Sequence, residues 1–508
     1  MVNQQLDPNA RRTYGAGHEV RRTFAFGLPR RVFYTIFASI VAGVIISMMG
    51  LPLIGLGWAG LSVLAAVPMS LRLNGKTGYE FFLLEWAWRR QKRSGRNVLR
   101  AGPLSHAPGG RTRLPGIAAG TEMWWGTDKY GRRFGMIRMH STSQYTAVLR
   151  CSPRGLAGME QDMINLMVAE WGAFLAKIAE PGDVASMVTV LETTPETGAR
   201  LHTEMTRIES AAAPANAREW LRQAGAGQAA DRTGYQLHTR IAITWNARTE
   251  AKRKDPMVMI GELAGRLPEL CEHLSRCQVI AEPMSDHEIT ATVRRCYDPR
   301  PETEVAVEKL LRHRGAVPPG EVIDWTDAGP LAADELDKQT YSHDSAYSRT
   351  WVMVDPPRGF FDETVLRPLI AGRADVPRKR VTLTHRPLSP ADAAESVDAD
   401  MLSAVGEVTS TRGLTTARAN LKVAATNQAR EEQARGAGVT DYDLVITVSA
   451  TTRDELDSYG DIARDMATGA HMRIRPAFGQ QAAAFQAGLG IGVLLPDHAT
   501  VSRALQGE

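Results

Sequence analysis

The chain has 508 residues, 44% of them hydrophobic and 23% charged, with a formal net charge of +4. That length carries two or three domains and a sizeable core. So small a net charge excludes a chain that binds nucleic acid over its whole surface, and any basic function has to be local.

Residues 1–31 read as a basic cytoplasmic tail. Val32 to Met49 is uncharged, and after Gly50-Leu51-Pro52 a second uncharged run extends from Leu53 to Leu71. Each is near the length that crosses a hydrocarbon core of roughly 30 Å. The sequence therefore predicts a two-span transmembrane helical hairpin over 32–72. Arginines and lysines flank it on both sides and none lies in the turn, which places both termini and the main domains on the cytoplasmic face of a multi-pass membrane protein. No small-residue cleavage site follows the first run, so a signal peptide is not expected.

Gly75-Lys76-Thr77 matches the last three letters of a nucleotide-binding P-loop. The first glycine of that motif makes the tight phosphate-wrapping turn, and Ser70 stands in its place. The triplet also leaves a span rather than a strand, so it reads as an interfacial turn. Tyr79 to Trp88 is aromatic and apolar and then turns basic. Arg89, Arg90, Lys92, Arg93 and Arg96 are predicted to lie on a membrane surface against anionic lipid, with nucleic-acid contact the lesser expectation. Residues 73–121 form this juxtamembrane segment and a Gly- and Pro-rich linker.

From 122 to 299 the pattern is α+β. Strands are expected at Phe134–His140 and Tyr145–Cys151, a helix at Leu156–Ala179, a strand at Val184–Leu191 and a helix at 196–225. Tyr235 to Trp245 alternates, which predicts a strand with one wet or partner-facing side. His238 and Arg240 lie on that side and read as a solvated face rather than a site. A helix at Met257–Leu274 and a strand at Gln278–Ala281 follow. Ser285-Asp286-His287-Glu288 is a capping box, so its acids and histidine read as a helix start, not a metal site.

Residues 300–345 read as a connector. A second lobe, 346–495, has strands at Ser348–Val354, Arg380–His385, Tyr442–Ser449 and His471–Pro476. Helices are expected at Asp362–Ile370, over 389–434 as a long pair, and after the Thr452 cap. Residues 496–508 are a tail. The predicted fold class is α+β: an N-terminal transmembrane hairpin followed by two cytosolic lobes, each ferredoxin-like or a split α/β sandwich. No internal repeat is legible.

Near the end, "GLGIGV" (488–493) looks like a dinucleotide fingerprint, but Val493 occupies the third glycine position and the run follows a helix-like stretch. No H-E-x-x-H and no G-x-S-x-G occurs. The four cysteines, Cys151, Cys271, Cys277 and Cys296, contain no C-x-x-C pair. They read as small buried hydrophobes in a reducing compartment. Neither a metal nor a cofactor is expected, and the chain reads as non-enzymatic.

"LAGRLPELCEHLSRCQVIAEPMSDHEITATVRRCYDP" (263–299) resembles a recurring segment of the conjugation and type IV secretion ATPases (the CagE/TrbE class). "YSRTWVMVDPPRGFFDETVLRPLI" (347–370) and residues 442–492, with the Gln480-Gln481 helix and the Ala-Phe-x-Ala of Ala484 to Ala487, resemble their later units. The likeness spans roughly 120–495. In that family a P-loop domain follows, whereas this chain ends at Glu508, so the resemblance implies the non-ATPase N-terminal domain. The hairpin in front resembles a PrgI-like two-span subunit, as in actinobacterial conjugative elements. The resemblance implies a membrane-anchored coupling component of a conjugative, type IV-like secretion apparatus in a bacterial cell membrane. Its partners would be a separate P-loop ATPase and other membrane subunits, with self-association left open. The alternatives are an EccE-like component of a type VII secretion system and an unrecognised membrane-bound transferase.

Overall fold

The computed structural model describes residues 11–12, 14–15, 30–70, 72–73, 76–102, 105, 113–198, 204–205, 207–210, 212–230, 234–312, 323–335, 337–357, 360–410, 423–424, 426–431 and 438–498. Most of the basic tail, Gly75, much of the linker and connector, the middle of the helical pair at 389–434 and the end of the final tail lie outside them.

The first strand, β1 (Tyr14–Gly15), pairs far along the chain with a two-residue strand at Phe360–Phe361, and Arg11 bridges Asp362 and Glu363 beside it. Helices α1 (Arg30–Met48) and α2 (Pro52–Ser70) fold back on each other about Gly50, whose φ of 92° suits glycine alone. Their contact is close because Gly55 lies at it. A Cβ there would stand 2.4 Å from the Gly43 carbonyl oxygen and from the Ser47 nitrogen. Ser39 and Ser62 share a 2.9 Å hydrogen bond across the pair, and the Trp58 indole donates to Ser39.

A helical hairpin is therefore present, but the transmembrane reading of it is corrected. Among the described residues no helix is long and apolar enough to cross a membrane. Each of the two has 19 residues, α1 begins with Arg30 and Arg31, and Gly55, Gly57, Gly60 and Ser62 dilute α2. A spanning helix needs about 20 predominantly apolar residues. The expected multi-pass membrane placement falls with it. Beyond the hairpin, β2 (Arg72–Leu73) pairs with β3 (Lys76–Thr77), which turns the P-loop-like stretch back on itself before α3 (Gly78–Arg93).

The expected pair of separate lobes is also corrected: one sheet of 13 strands runs through both. Its first half holds β4 (Val98–Arg100), β5 (Thr121–Thr127), β6 (Arg133–Met139), β7 (Gln144–Pro153), β8 (Val184–Pro195), β9 (Tyr235–Asn246) and β10 (Val279–Pro283). Its second half holds β11 (Ala332–Glu335), β12 (Tyr341–His343), β13 (Ala346–Asp355), then, after β14 (Phe360–Phe361) outside the sheet, β15 (Lys379–Pro387), β16 (Thr440–Ala450) and β17 (Arg473–Pro476). The order across the sheet is β4-β11-β12-β13-β16-β15-β8-β9-β7-β6-β5, with β10 also on β7 and β17 also on β13. Every pairing is antiparallel.

The two halves repeat one plan. Helices α4 (Gln161–Ala179), α5 (Ala215–Ala230), α6 (Glu250–Lys254), α7 (Pro256–Arg276), α8 (Asp286–Tyr297) and α9 (Pro301–Arg312) punctuate the first; α10 (Arg367–Ile370), α11 (Pro390–Ser410), α12 (Arg453–Gly469) and α13 (Gln481–Ala487) punctuate the second. In each half a 3₁₀ turn leads through two strands into a long central strand, here β7 and β13. A helix, a strand, a second helix, another strand, a long helix, a short proline-ended strand and a closing helix follow. Among the described residues, the non-glycine residues with positive φ pair off between the halves. Ser143 and Asp344 turn the chain into β7 and β13, and Gln278 and His471 turn it into β10 and β17. The internal repeat that the letters conceal is carried by backbone conformation. The halves join at the centre of the sheet where β8 meets β15, with Val190 opposite Thr382 near the middle of the seam, and β4 crosses to β11 at the sheet edge.

On one face of the sheet each half keeps its own core. Ile241, Ile243 and Trp245 pack with Leu263 and Leu267 of α7, while Leu444, Ile446 and Val448 pack with Leu456 and Met466 of α12. Fully burying one such aliphatic side chain contributes about 1.5–3 kcal/mol. On the other face a single core spans the seam, with Val188, Val190 and Ala242 against Ile289 and Val293 of α8, Phe485 of α13, and Leu489 to Leu494 beyond it. The wet side expected for Tyr235 to Trp245 is thus buried from Arg240 onward, because β9 lies between β7 and β8 and is covered on both faces.

Candidate functional site

The chemistry-bearing residues converge on that shared face, at the seam. Glu192 of β8, 3% exposed, meets three guanidiniums. Arg240 of β9 donates to Glu192 Oε2 at 2.7 Å, Arg295 of α8 donates to it at 3.0 Å, and Arg380 of β15 stands 3.6 Å from Oε1. The Cys296 thiol donates to Oε1 at 3.2 Å. Arg295 Nη1 lies 3.2 Å from His238 Nε2.

Burial alone would raise the Glu192 carboxyl, but Arg295, Arg240 and Arg380 together hold it well below the usual range. Burial, reinforced by Arg295, pushes His238 down to about 3, so the imidazole is neutral. Burial and then Glu192 push the Cys296 thiol up. A carboxylate locked as an anion, a histidine locked neutral and an un-ionised thiol are poor proton-transfer groups at neutral pH. The cluster is a charge lock between the two halves.

The C-terminal segment closes it. Arg240 Nε and Nη2 donate to the Leu489 carbonyl at 3.3 and 3.1 Å, and Thr382 donates to the Gly488 carbonyl at 3.0 Å. This explains the glycines of "GLGIGV". Gly490 and Gly492 have φ of 71° and 84°, and a Cβ on Gly492 would stand 2.2 Å from Thr146 Oγ1. They let the backbone press on β7–β9 rather than on a pyrophosphate.

A second polar group lies nearby. The fully buried His343 meets the Tyr297 carbonyl at 2.6 Å and Ser348 at 2.7 Å, and Ser348 meets Ser449 at 2.6 Å. Tyr297, Tyr341 and Phe485 box the ring. A Ser–His contact suggests a nucleophile and base, yet both residues are 0% exposed. Burial pushes His343 down to about 4. The arrangement pins β12, β13 and β16 together.

Of His238 and Arg240, read as a solvated face, Arg240 is brought into the core and His238 is half-buried at its edge, and Glu192, Arg295 and Arg380 were not singled out at all. The one available signal was a charged residue within each apolar strand or helix. Ser285 and Glu288 form the expected capping box, and Glu288 also accepts from Arg150 at 2.5 Å. Among the described residues no group of three or more side chains could hold a metal. All four cysteines are free, and burial pushes Cys151 up to about 12 and Cys271 and Cys277 to about 11.

Arg89, Arg90, Lys92, Arg93 and Arg96 are exposed at and just beyond the end of α3. Three of them have partners within α3: Arg89 on Glu85, Arg90 over Trp86 and Lys92 over Trp88. Lys338 covers Trp88 as well and bonds Glu85, tying α3 to the second half. An open cleft of about 670 Å³ lies by the N-terminal strand, lined by Arg11, Asp362, Arg367, Pro368 and His471 among others. No protein-family model matches the chain, and no curated protein matches it significantly.

Proposed function

We propose that this chain is a non-catalytic coupling component of a conjugative, type IV-like transfer apparatus, holding a separate P-loop ATPase against other subunits. The observation that carries this reading is the α1–α2 hairpin. It exposes Phe37, Ile45, Met48, Leu53, Leu56 and Leu64, among other large apolar side chains, while its inner contact is closed by glycines. Apolar surface of that extent on a helical pair marks an interaction site. The likeness of 263–299, 347–370 and 442–492 to the segments that precede the motor domain of conjugation ATPases supplies the class of apparatus. The charge-locked double repeat suits a rigid body that transmits force rather than one that turns over substrate.

The test is affinity purification of the tagged full chain from its native host. The expected result is recovery of a P-loop ATPase of the conjugation class, without ATP turnover by this chain alone. Robust hydrolysis by the purified chain, or recovery of type VII components in place of a conjugation ATPase, would overturn the reading.

A further inference from the structure

The buried cluster is not balanced. Three guanidiniums, Arg240, Arg295 and Arg380, share one carboxylate, Glu192, and all four residues are at most 4% exposed. His238 at their edge is neutral, and the neighbouring Arg378 is already matched by Glu304 at 2.5 Å. A cation buried without a partner is strongly destabilising.

The imbalance is localised on Arg380. Its Nε and Nη2 have no hydrogen-bond partner among the described residues, and neither has Arg295 Nε. Nε and Nη2 form one edge of the guanidinium, the fork that grips two oxygens of a carboxylate or phosphate at once. Several other arginines fill that edge. Arg133 uses it on Asp286 at 2.6 and 2.7 Å, Arg300 on Asp298 at 2.8 and 2.6 Å, and Arg373 on Asp375 at 2.8 and 2.5 Å. Arg240 turns it on the Leu489 carbonyl. Those of Arg133, Arg300 and Arg373 are partly exposed, where water could serve. At Arg380 both nitrogens of that edge are buried and unpartnered among the described residues.

The surroundings favour a small ligand. The Phe485 ring lies 4.8 Å from the Arg380 guanidinium carbon and fixes its plane. Gly488 borders the fork: a Cβ there would come within 3.5 Å of Arg380 Nε and 3.4 Å of Thr447 Oγ1. Gly488 therefore puts no side chain between Arg380 Nε and the Thr447 hydroxyl, which itself shares a 3.1 Å hydrogen bond with Thr350 Oγ1.

We infer that the Arg380 fork, with Arg295 behind it, binds one small inorganic oxyanion of the phosphate or sulfate class at the seam between the two repeats. The ion neutralises part of the excess charge and couples β15 of the second half to α8 and β9 of the first. Burial limits it to a free ion, since a ribose and base cannot follow a phosphate into the core. This inference stands apart from the proposed function.

The test uses the full chain, dialysed exhaustively into chloride. Adding inorganic phosphate at constant ionic strength is expected to raise Tm by roughly 2 °C or more, saturably, with one ion bound per chain. ATP in its place is expected to give no shift; an equal shift with ATP overturns the small-ion form. Crystals grown with selenate are expected to show anomalous density within hydrogen-bond distance of Arg380 Nε and Nη2. Arg380→Met is expected to abolish binding. Should that variant not fold, Gly488→Ala, which keeps the arginine and narrows its mouth, is expected to weaken binding about tenfold. A water in place of selenate, selenate at exposed arginines only, or binding unchanged in these variants overturns the inference.

Discussion

Glu192 and Arg380 are cross-strand partners on β8 and β15, the long central strand pairing that joins the two repeats. Their register places an anion and a cation opposite each other on the covered face, and Arg240 and Arg295 reach the same carboxylate from β9 and α8. The seam is thus held by this charge cluster as well as by the apolar core that spans it.

Removing the carboxylate should therefore be severe. Glu192→Gln leaves three buried guanidiniums without the carboxylate they share and is expected to destabilise the protein by about 3–5 kcal/mol. Urea unfolding at pH 7 measures it. The surface pair Arg386–Asp441 is the control, worth about 1 kcal/mol or less when broken. A loss for Glu192→Gln no larger than the control's would refute the charge-lock assignment.

Stability should also fall on mild acidification. Burial holds His238 at about 3, and His343 and His385 at about 4, against an ordinary value near 6.5. Between those values the unfolded chain binds protons that the folded chain does not. Stability is therefore full above about pH 6.5 and declines as pH falls toward 4, by at most about 1.4 kcal/mol per pH unit for each histidine. Glu192, held low, adds a further loss only below about pH 4.3, the ordinary glutamate value. Chemical denaturation at pH 7.5 and pH 5 measures the slope. His343→Asn is expected to flatten it, and a flat wild-type profile would contradict the buried neutral state.

Gly492→Ala tests the press of the C-terminal segment on the sheet. The new Cβ would meet Thr146 Oγ1 at 2.2 Å on a residue with φ of 84°. Strain of that kind is expected to cost about 2–4 kcal/mol. Adding Thr146→Ala removes the hydroxyl and should restore part of it, leaving the left-handed backbone term. Thermal unfolding of the single and double variants gives the coupling, and additive effects would place the segment elsewhere.

A protease site inserted within 313–322, between the repeats, should leave the cut halves together. The β8–β15 ladder, the shared core and the Glu192 cluster all cross the seam. Gel filtration after cleavage is expected to show one species of unchanged size, dissociating only in denaturant. Separation in plain buffer would show that the halves are independent lobes.

Local features were legible in the letters. The strands expected at Phe134–His140, Tyr145–Cys151, Ser348–Val354 and Tyr442–Ser449 fall within a few residues of β6, β7, β13 and β16, alternation located β9, and the hydroxyl–Glu spacing located both capping boxes, at Ser285 and at Thr452. These depend on neighbours in the chain, so residue type and spacing are enough. Asp362–Ile370 was less accurate: only Arg367–Ile370 is helical, after a turn capped by Asp362. The hairpin was right in connectivity and wrong as a pair of membrane spans, because the absence of charge measures apolarity without the dilution by glycine and serine.

By itself, the sequence determined most of the longer strands, the caps and the lack of a complete phosphate-binding loop in these letters, because each rests on short-range sterics and hydrogen bonding. Only the tertiary structure decided that two lobes share one sheet, that the halves repeat a plan, and that Glu192, Arg240, Arg295 and Arg380 meet. Sheet order is set by which edges find each other across long separations. Repeats kept in φ and ψ need not be kept in side chains. A charge inside an apolar strand looks the same on paper whether it faces water or three buried guanidiniums.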